Sequence, residues 1–167
     1  MQDNRTDGPA LTRQEKIQVL MSVYFSQRGI TRPADDRLSE LGFGRAHHRT
    51  LTFIGVQPGC TVQELAKTLR IANQNLNRVL SPLVKQGYVE QRHDPKDLRF
   101  RRLYLTEQGR ELEEHGFQAQ FERLDEVMRQ SDRATLQAYL DFTRLMMDAE
   151  DRAFLDAVSG SGEPADD

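Results

Sequence analysis

Residues 59–109 read GCTVQELAKTLRIANQNLNRVLSPLVKQGYVEQRHDPKDLRFRRLYLTEQG, and their apolar spacing predicts two short helices followed by a basic hairpin. Thr61 and Glu64 form a T-x-x-E capping box, after which Val62, Leu65, Ala66 and Leu69 fall on one helical face. Asn73 is the expected N-cap of the second helix. Leu76, Val79, Leu80 and Leu83 then continue at helical spacing until Gly87 supplies a C-terminal stop. The opposite face of that helix carries Asn73, Gln74, Asn75, Asn77 and Arg78. Pro82 lies inside it, cannot donate to the Arg78 carbonyl and predicts a kink or a split near residues 78–82.

Tyr88–Arg92 and Arg101–Thr106 alternate as strands do, with Val89, Leu103 and Leu105 directed at a core and Arg102 and Tyr104 directed away. Between them, residues 93–100 combine turn chemistry with positive charge. Two helices and a hairpin in this order describe a winged helix-turn-helix, so the expected fold is mainly α with one small β-hairpin. Asn, Gln and Arg in the first turns of the second helix carry the donor and acceptor pairs that match adenine and guanine edges in the major groove. A basic loop beside them, bearing Arg92, Lys96, Arg99 and Arg101, suits the phosphates and the narrow minor groove, with Arg99 the candidate for insertion. A polar helix face is more often plain solvated surface, and the alternative is a winged-helix module that docks a protein without binding DNA.

Charge distribution favours the DNA reading. The 167-residue chain sums to −3, yet residues 70–110 hold nine Lys/Arg against four Asp/Glu, while residues 111–167 hold five against fifteen.

The chain resembles the MarR family of bacterial transcriptional regulators. The resemblance rests on the T-x-x-E-L-A helix at Thr61–Ala66, the L-V-K-Q-G-Y-V ending at Leu83–Val89, and the D-P-K-D-L-R wing at Asp94–Arg99 followed by L-Y-L-T-E-Q-G. It spans about residues 12–158. In the family's wing pattern, D-x-R, Asp97 would brace the wing and Arg99 would reach the minor groove; Leu98 stands where Arg is commoner. The resemblance implies a double-stranded DNA partner and an effector site where dimerisation helices meet the DNA lobe. Matching segments offer Tyr24, Phe25, Phe43, His47, His48 and Arg49, suited to an aromatic or carboxylated compound, although the aromatic residues equally suit a core. It also raises a redox role for Cys60, placed just before a helix start whose amides would lower its pKa.

Flanking helices carry wide apolar stripes. Thr12 and Glu15 repeat the capping box ahead of Ile17, Leu20, Met21, Tyr24 and Phe25. A long helix after Thr106 carries Leu112, Phe117, Phe121, Leu124 and Met128, and a last helix from about Ser131 runs through Leu136, Tyr139, Leu140, Phe142, Met146 and Phe154. Stripes this wide predict burial against a second copy, a homodimer, the alternative being a monomeric helical core. Two recognition helices about 34 Å apart would then select a near-palindromic operator. The organisation expected is one domain at 11–158, with 45–106 as the winged helix-turn-helix and 11–30 and 107–158 for dimerisation, between disordered ends at 1–10 and 159–167.

Other classes find little support. No apolar run approaches the roughly 18 residues of a membrane span and no signal peptide is visible, so a cytoplasmic location is expected; one cysteine allows no internal disulfide. Adjacent His47 and His48 diverge by about 100° on a helix and cannot chelate one ion as an i, i+4 pair would. No catalytic or phosphate-cradling motif is present, no cofactor is expected, and the pairs Asp35–Asp36 and Glu113–Glu114 read as solvated charge.

Overall fold

Thr12 and Glu15 cap each other as their spacing predicts: the Thr12 N–H donates to Glu15 Oε2 at 2.7 Å and the Glu15 N–H to Thr12 Oγ1 at 3.3 Å. They open α1, Arg13–Ser39, in a computed structural model that describes residues 10–160. The elements that follow are α2 (Arg45–Val56), α3 (Val62–Leu69), α4 (Asn73–Lys85), β1 (Val89–His93), β2 (Arg101–Leu105), α5 (Glu107–Met128), α6 (Arg133–Met146) and α7 (Ala149–Gly160). The expected disordered ends lie largely outside the described residues, and α7 continues through Ser159 and Gly160.

One core ties the central elements together. Leu38 of α1, Leu51 and Ile54 of α2, Leu65 of α3, Leu76, Leu80 and Leu83 of α4 and Leu103 of β2 are essentially inaccessible to solvent. β1 and β2 pair antiparallel with Val89 opposite Leu105 and His93 opposite Arg101, which places Val89, Leu103 and Leu105 inward as alternation predicts. A third segment extends this hairpin: the Gly59 N–H donates to the Leu103 carbonyl and the Leu103 N–H to the Cys60 carbonyl, both at 2.8 Å. Gly59 adopts φ +83°, a conformation open to glycine, and a Cβ there would meet the Tyr104 hydroxyl at 2.9 Å.

The hairpin is sewn to α5 at its root. Thr106 caps α5 by accepting from the Gly109 N–H at 3.0 Å, while its own hydroxyl donates to the Gly87 carbonyl at 2.6 Å. α5 then runs back against α1 and α2, burying Leu112, Gly116 and Ala119.

Four expectations need correction. Ala72, not Asn73, is the N-cap of α4, and Asn73 is its first helical residue. Pro82 does not split the helix; the carbonyl deprived of a donor belongs to Arg78, on the exposed face where solvent can satisfy it. α1 continues through Pro33 to Ser39, well past residue 30. The single last helix is two, because Asp148 accepts from the Asp151 N–H at 3.0 Å and caps a new start. Neither α6 nor α7 buries any residue, and Leu20, Tyr24, Phe25, Phe121, Phe142 and Leu145 are all at least half exposed.

Candidate nucleic-acid interface

The turn between α3 and α4 is tight because Arg70 enters the left-handed region, φ 53° and ψ 43°, so that the Ile71 N–H reaches back to the Ala66 carbonyl at 3.0 Å. α4 therefore leaves at an angle, with Leu76, Leu80 and Leu83 in the core and Asn73, Gln74, Asn75, Asn77 and Arg78 in solvent. Among the described residues, none of those five side chains hydrogen-bonds or pairs with another. Asn77, Ser81 and Lys85 of α4 share a groove of about 340 Å³ with Gln91 of β1. Asn77 of the polar face and Gln91 of the hairpin thus border one groove.

The wing is held by a carboxylate of its own turn. Asp94 is buried; its Oδ1 accepts from the Lys96 N–H at 2.7 Å, and its Oδ2 accepts from Arg102 Nε at 2.6 Å. These bonds hold its carboxyl below the usual carboxylate range, the Lys96 amide contributing most. Arg102 also donates through Nη1 to the Gly59 carbonyl at 2.8 Å, so Arg102 is a clasp between the wing and the loop before α3 and does not face free solvent as alternation suggested. The Asp-Pro-Lys order, an Asx turn, was the available signal for Asp94.

Asp97 and Arg99 pair at the tip. Asp97 accepts from the Arg99 N–H at 3.0 Å and from its guanidinium at 2.6–3.1 Å, which lowers the Asp97 pKa and raises that of Arg99. Arg99 nevertheless remains exposed. Arg92 pairs with Glu90 and lies 4.6 Å over the Tyr104 ring, and Arg101 reaches Gln91 at 3.3 Å. Lys96 is exposed and has no carboxylate partner among the described residues.

The other candidate residues fare unevenly. Cys60 is 3% exposed, and burial, with Glu64 adding to it, pushes its thiol up to about 11; the helix start does not activate it. Phe43 is core, packed edge-on against Tyr88 at 5.3 Å and against His47 at 5.0 Å. Tyr24 and Phe25 are surface residues under Arg28. Only His48 and Arg49 line a common cavity, of about 490 Å³ between α1, α2 and α5, with Thr31, Arg45 and Gln120. The six therefore do not form one pocket. Burial pushes the His48 pKa below its ordinary value against the pull of Asp35, whose oxygen lies 3.7 Å away, outside hydrogen-bond distance.

Two carboxylates read as solvated are not. Asp35 is largely buried and takes the Arg45 Nε at 2.7 Å. Glu113 covers Gly55 of α2 so closely that a Cβ there would lie 1.9 Å from its carboxylate, and burial, with Glu114 adding to it, raises its pKa to about 7. At the far end, Arg70 pairs with Asp148 and Asp151, and Lys67 lies 3.5 Å from Glu150, joining α7 to the α3–α4 turn. Among the described residues no helix is long and apolar enough to cross a membrane, and no group of three or more His, Cys, Asp or Glu is placed to hold a metal ion.

Residues 41–99 match the MarR family. The chain is 36% identical over 138 residues to the HTH-type transcriptional regulator PetP of Rhodobacter capsulatus, covering 83% of each protein. It is 37% identical over 57 residues to the HTH-type transcriptional regulator BilQ of Clostridium symbiosum, covering 34% of this chain and 40% of BilQ. The fold matches the crystal structure of a MarR family transcription regulator with a TM-score of 0.70 at 20% identity, covering 87% of this chain and 94% of that one. Against the reduced form of MarR from E. coli the TM-score is 0.61 at 25% identity, covering 81% and 98%. With its exposed α4 face beside a clasped basic wing, the chain belongs to the MarR family and is a DNA-binding transcriptional regulator, not an enzyme.

Proposed function

We propose that this regulator acts in the cytoplasm as a ligand-responsive homodimeric repressor on a near-palindromic operator. The observation that carries the reading is an unengaged, exposed Asn/Gln/Arg face on α4 whose Asn77 shares a groove with Gln91 of the hairpin. In this reading Asn73, Gln74, Asn75, Asn77 and Arg78 address base edges in the major groove, while Arg92, Lys96, Arg99 and Arg101 serve the backbone and minor groove. Asp97 aims Arg99, and Asp94 with Arg102 fixes the wing on which both ride.

Support for the dimer comes from the exposed large apolar residues that α1, the end of α5, α6 and α7 leave uncovered. Support for an effector comes from the cavity between α1, α2 and α5. Thr31 Oγ1 and His48 Nε2, on residues lining it, and the neighbouring Asp35 Oδ1 are buried without hydrogen-bond partners, and Arg45 and Arg49 add positive charge. A small aromatic carboxylate would accept from the Thr31 hydroxyl and pair with Arg49. Its effect on repression equals its differential affinity for dimer geometries that do and do not match the groove spacing.

Selection of duplexes from a random pool, followed by fluorescence anisotropy, tests the reading. A palindromic consensus, a dimeric mass by sedimentation and a log affinity falling by about 0.9 per phosphate contact with log salt are expected. Arg78→Ala should change sequence preference and Arg99→Ala should weaken binding to all sequences. Wild-type behaviour in both variants would remove these assignments, a monomeric mass would remove the dimer, and operator affinity unchanged across a panel of aromatic carboxylates would remove the effector.

A further inference from the structure

Arginines of the wing are held by carboxylates. Arg102 pairs with Asp94 and Arg99 with Asp97, while Lys96 has no carboxylate partner among the described residues. The wing tip also presents apolar surface: Leu98 is 73% exposed, the most exposed large apolar residue outside the helices among the described residues, and Phe100, two positions on, is 45% exposed.

The tip is also held in shape. The Asp97 N–H donates to Asp94 Oδ1 at 3.3 Å, the Phe100 N–H to the Asp97 carbonyl at 3.0 Å and the Asp94 N–H to the Phe100 carbonyl at 3.0 Å. The Leu98 carbonyl lies 3.1 Å from His93 Nδ1, so the leucine stands on a loop tied down on both sides. An apolar side chain on a fixed backbone, beside a cation aimed by its own carboxylate, has the makings of a wedge. Such groups enter the minor groove between base pairs, partly unstack one step and kink the duplex.

Resting on the DNA-binding reading above, we propose that Leu98 is a specificity-determining residue that wedges into a minor-groove base step flanking the half-site. The step it selects is a deformable pyrimidine–purine step, TA above all, because unstacking costs least there, and stiff A-tracts are disfavoured.

The test uses the full chain and its Leu98→Ala and Leu98→Arg variants; Leu98 buries little, so neither change threatens the fold. Each protein is put through selection from random duplexes, then titrated onto duplexes that differ only in a TA step or an A-tract at the flank, with 2-aminopurine reporting unstacking. Wild type should favour TA by roughly five- to tenfold and brighten the probe. Leu98→Ala should lose both effects while keeping the half-site consensus, and Leu98→Arg should turn the preference toward the A-tract and steepen the salt slope by about 0.9. Flank preference and probe signal unchanged in Leu98→Ala would overturn the wedge alone. A wild-type protein that selects no consensus would overturn the DNA-binding reading and the wedge with it.

Discussion

Alanine at position 109 would place a Cβ 1.9 Å from the Tyr88 carbonyl oxygen, 3.0 Å from its carbonyl carbon and 3.4 Å from the Leu105 Cβ. The first two are backbone atoms, so no rotamer change relieves the clash. Either the first turn of α5 or the start of β1 must retreat by about 1 Å, and the two are bonded together there. The Thr106 N–H donates to that same Tyr88 carbonyl at 3.1 Å, and the Thr106 hydroxyl donates to Gly87 and accepts from Gly109. Overpacking of this kind costs about 1–3 kcal/mol, and weakening one of those bonds adds about 1 kcal/mol. A total of about 2–4 kcal/mol lowers Tm by roughly 5–15 °C in a chain of this size. Circular dichroism melts at fixed protein concentration measure it, since the Tm of an oligomer shifts with concentration. Gly29→Ala is the internal control: nothing lies within 4 Å of a Cβ at that position, so the helix-interior replacement should stabilise by about 0.5–1 kcal/mol. Operator affinity should fall for Gly109→Ala and hold for Gly29→Ala, because only the first moves the root of the wing. A Gly109→Ala protein melting within about 1 °C of wild type would refute the argument that this contact fixes the hairpin on α5.

Further outcomes follow from the same geometry. Glu113 has a folded pKa raised to about 7 by burial, so the folded state holds its proton more tightly than the unfolded chain; its own contribution to stability is greatest below about 4.5 and is lost as pH rises through 7. After allowance for solvent screening the decline is about 1–2 kcal/mol, and Glu113→Gln should flatten it and raise Tm at pH 8, a result absent if the two proteins keep parallel pH profiles. Cys60, with its thiol near 11, should react with a disulfide reagent at pH 8 only at the rate of unfolding; rapid labelling of the native protein would contradict its burial. Arg102→Ala should release the wing, seen as faster amide exchange across residues 94–100 and weaker operator binding with the α4 consensus unchanged. Exchange at the wild-type rate would mean that the clasp from Asp94 to Gly59 is not what holds it.

Much of the DNA lobe was legible because its signals act over three or four residues. The capping boxes at Thr12 and Thr61, the apolar faces of α3 and α4, and the alternation of Val89, Leu103 and Leu105 each depend on local geometry, and each is found where the spacing put it. The break at Met147–Asp148 was local too, but the apolar stripe runs on in phase across it, so periodicity hid the Asp148 cap. Within the candidate site, the polar face of α4 was readable in full and the basic wing in outline. Its clasp was not: Arg102 has the sequence pattern of an outward strand residue, and nothing nearby announces that Gly59, 43 positions earlier, supplies the carbonyl it binds.

By itself the chain's order of residues determined the helices, the hairpin, their polar and apolar faces and the concentration of positive charge on one segment, since hydrogen bonding and side-chain spacing along a helix or strand are short-range. Tertiary structure alone decided which charges are spent and which are free. Folding buries Cys60, half-buries Glu113 and commits Arg102 to Asp94 and the distant Gly59 carbonyl. The reason is physical: a side chain's ionisation and availability depend on the dielectric and the partners around it, and those are contributed by residues that come near only when the chain closes on itself.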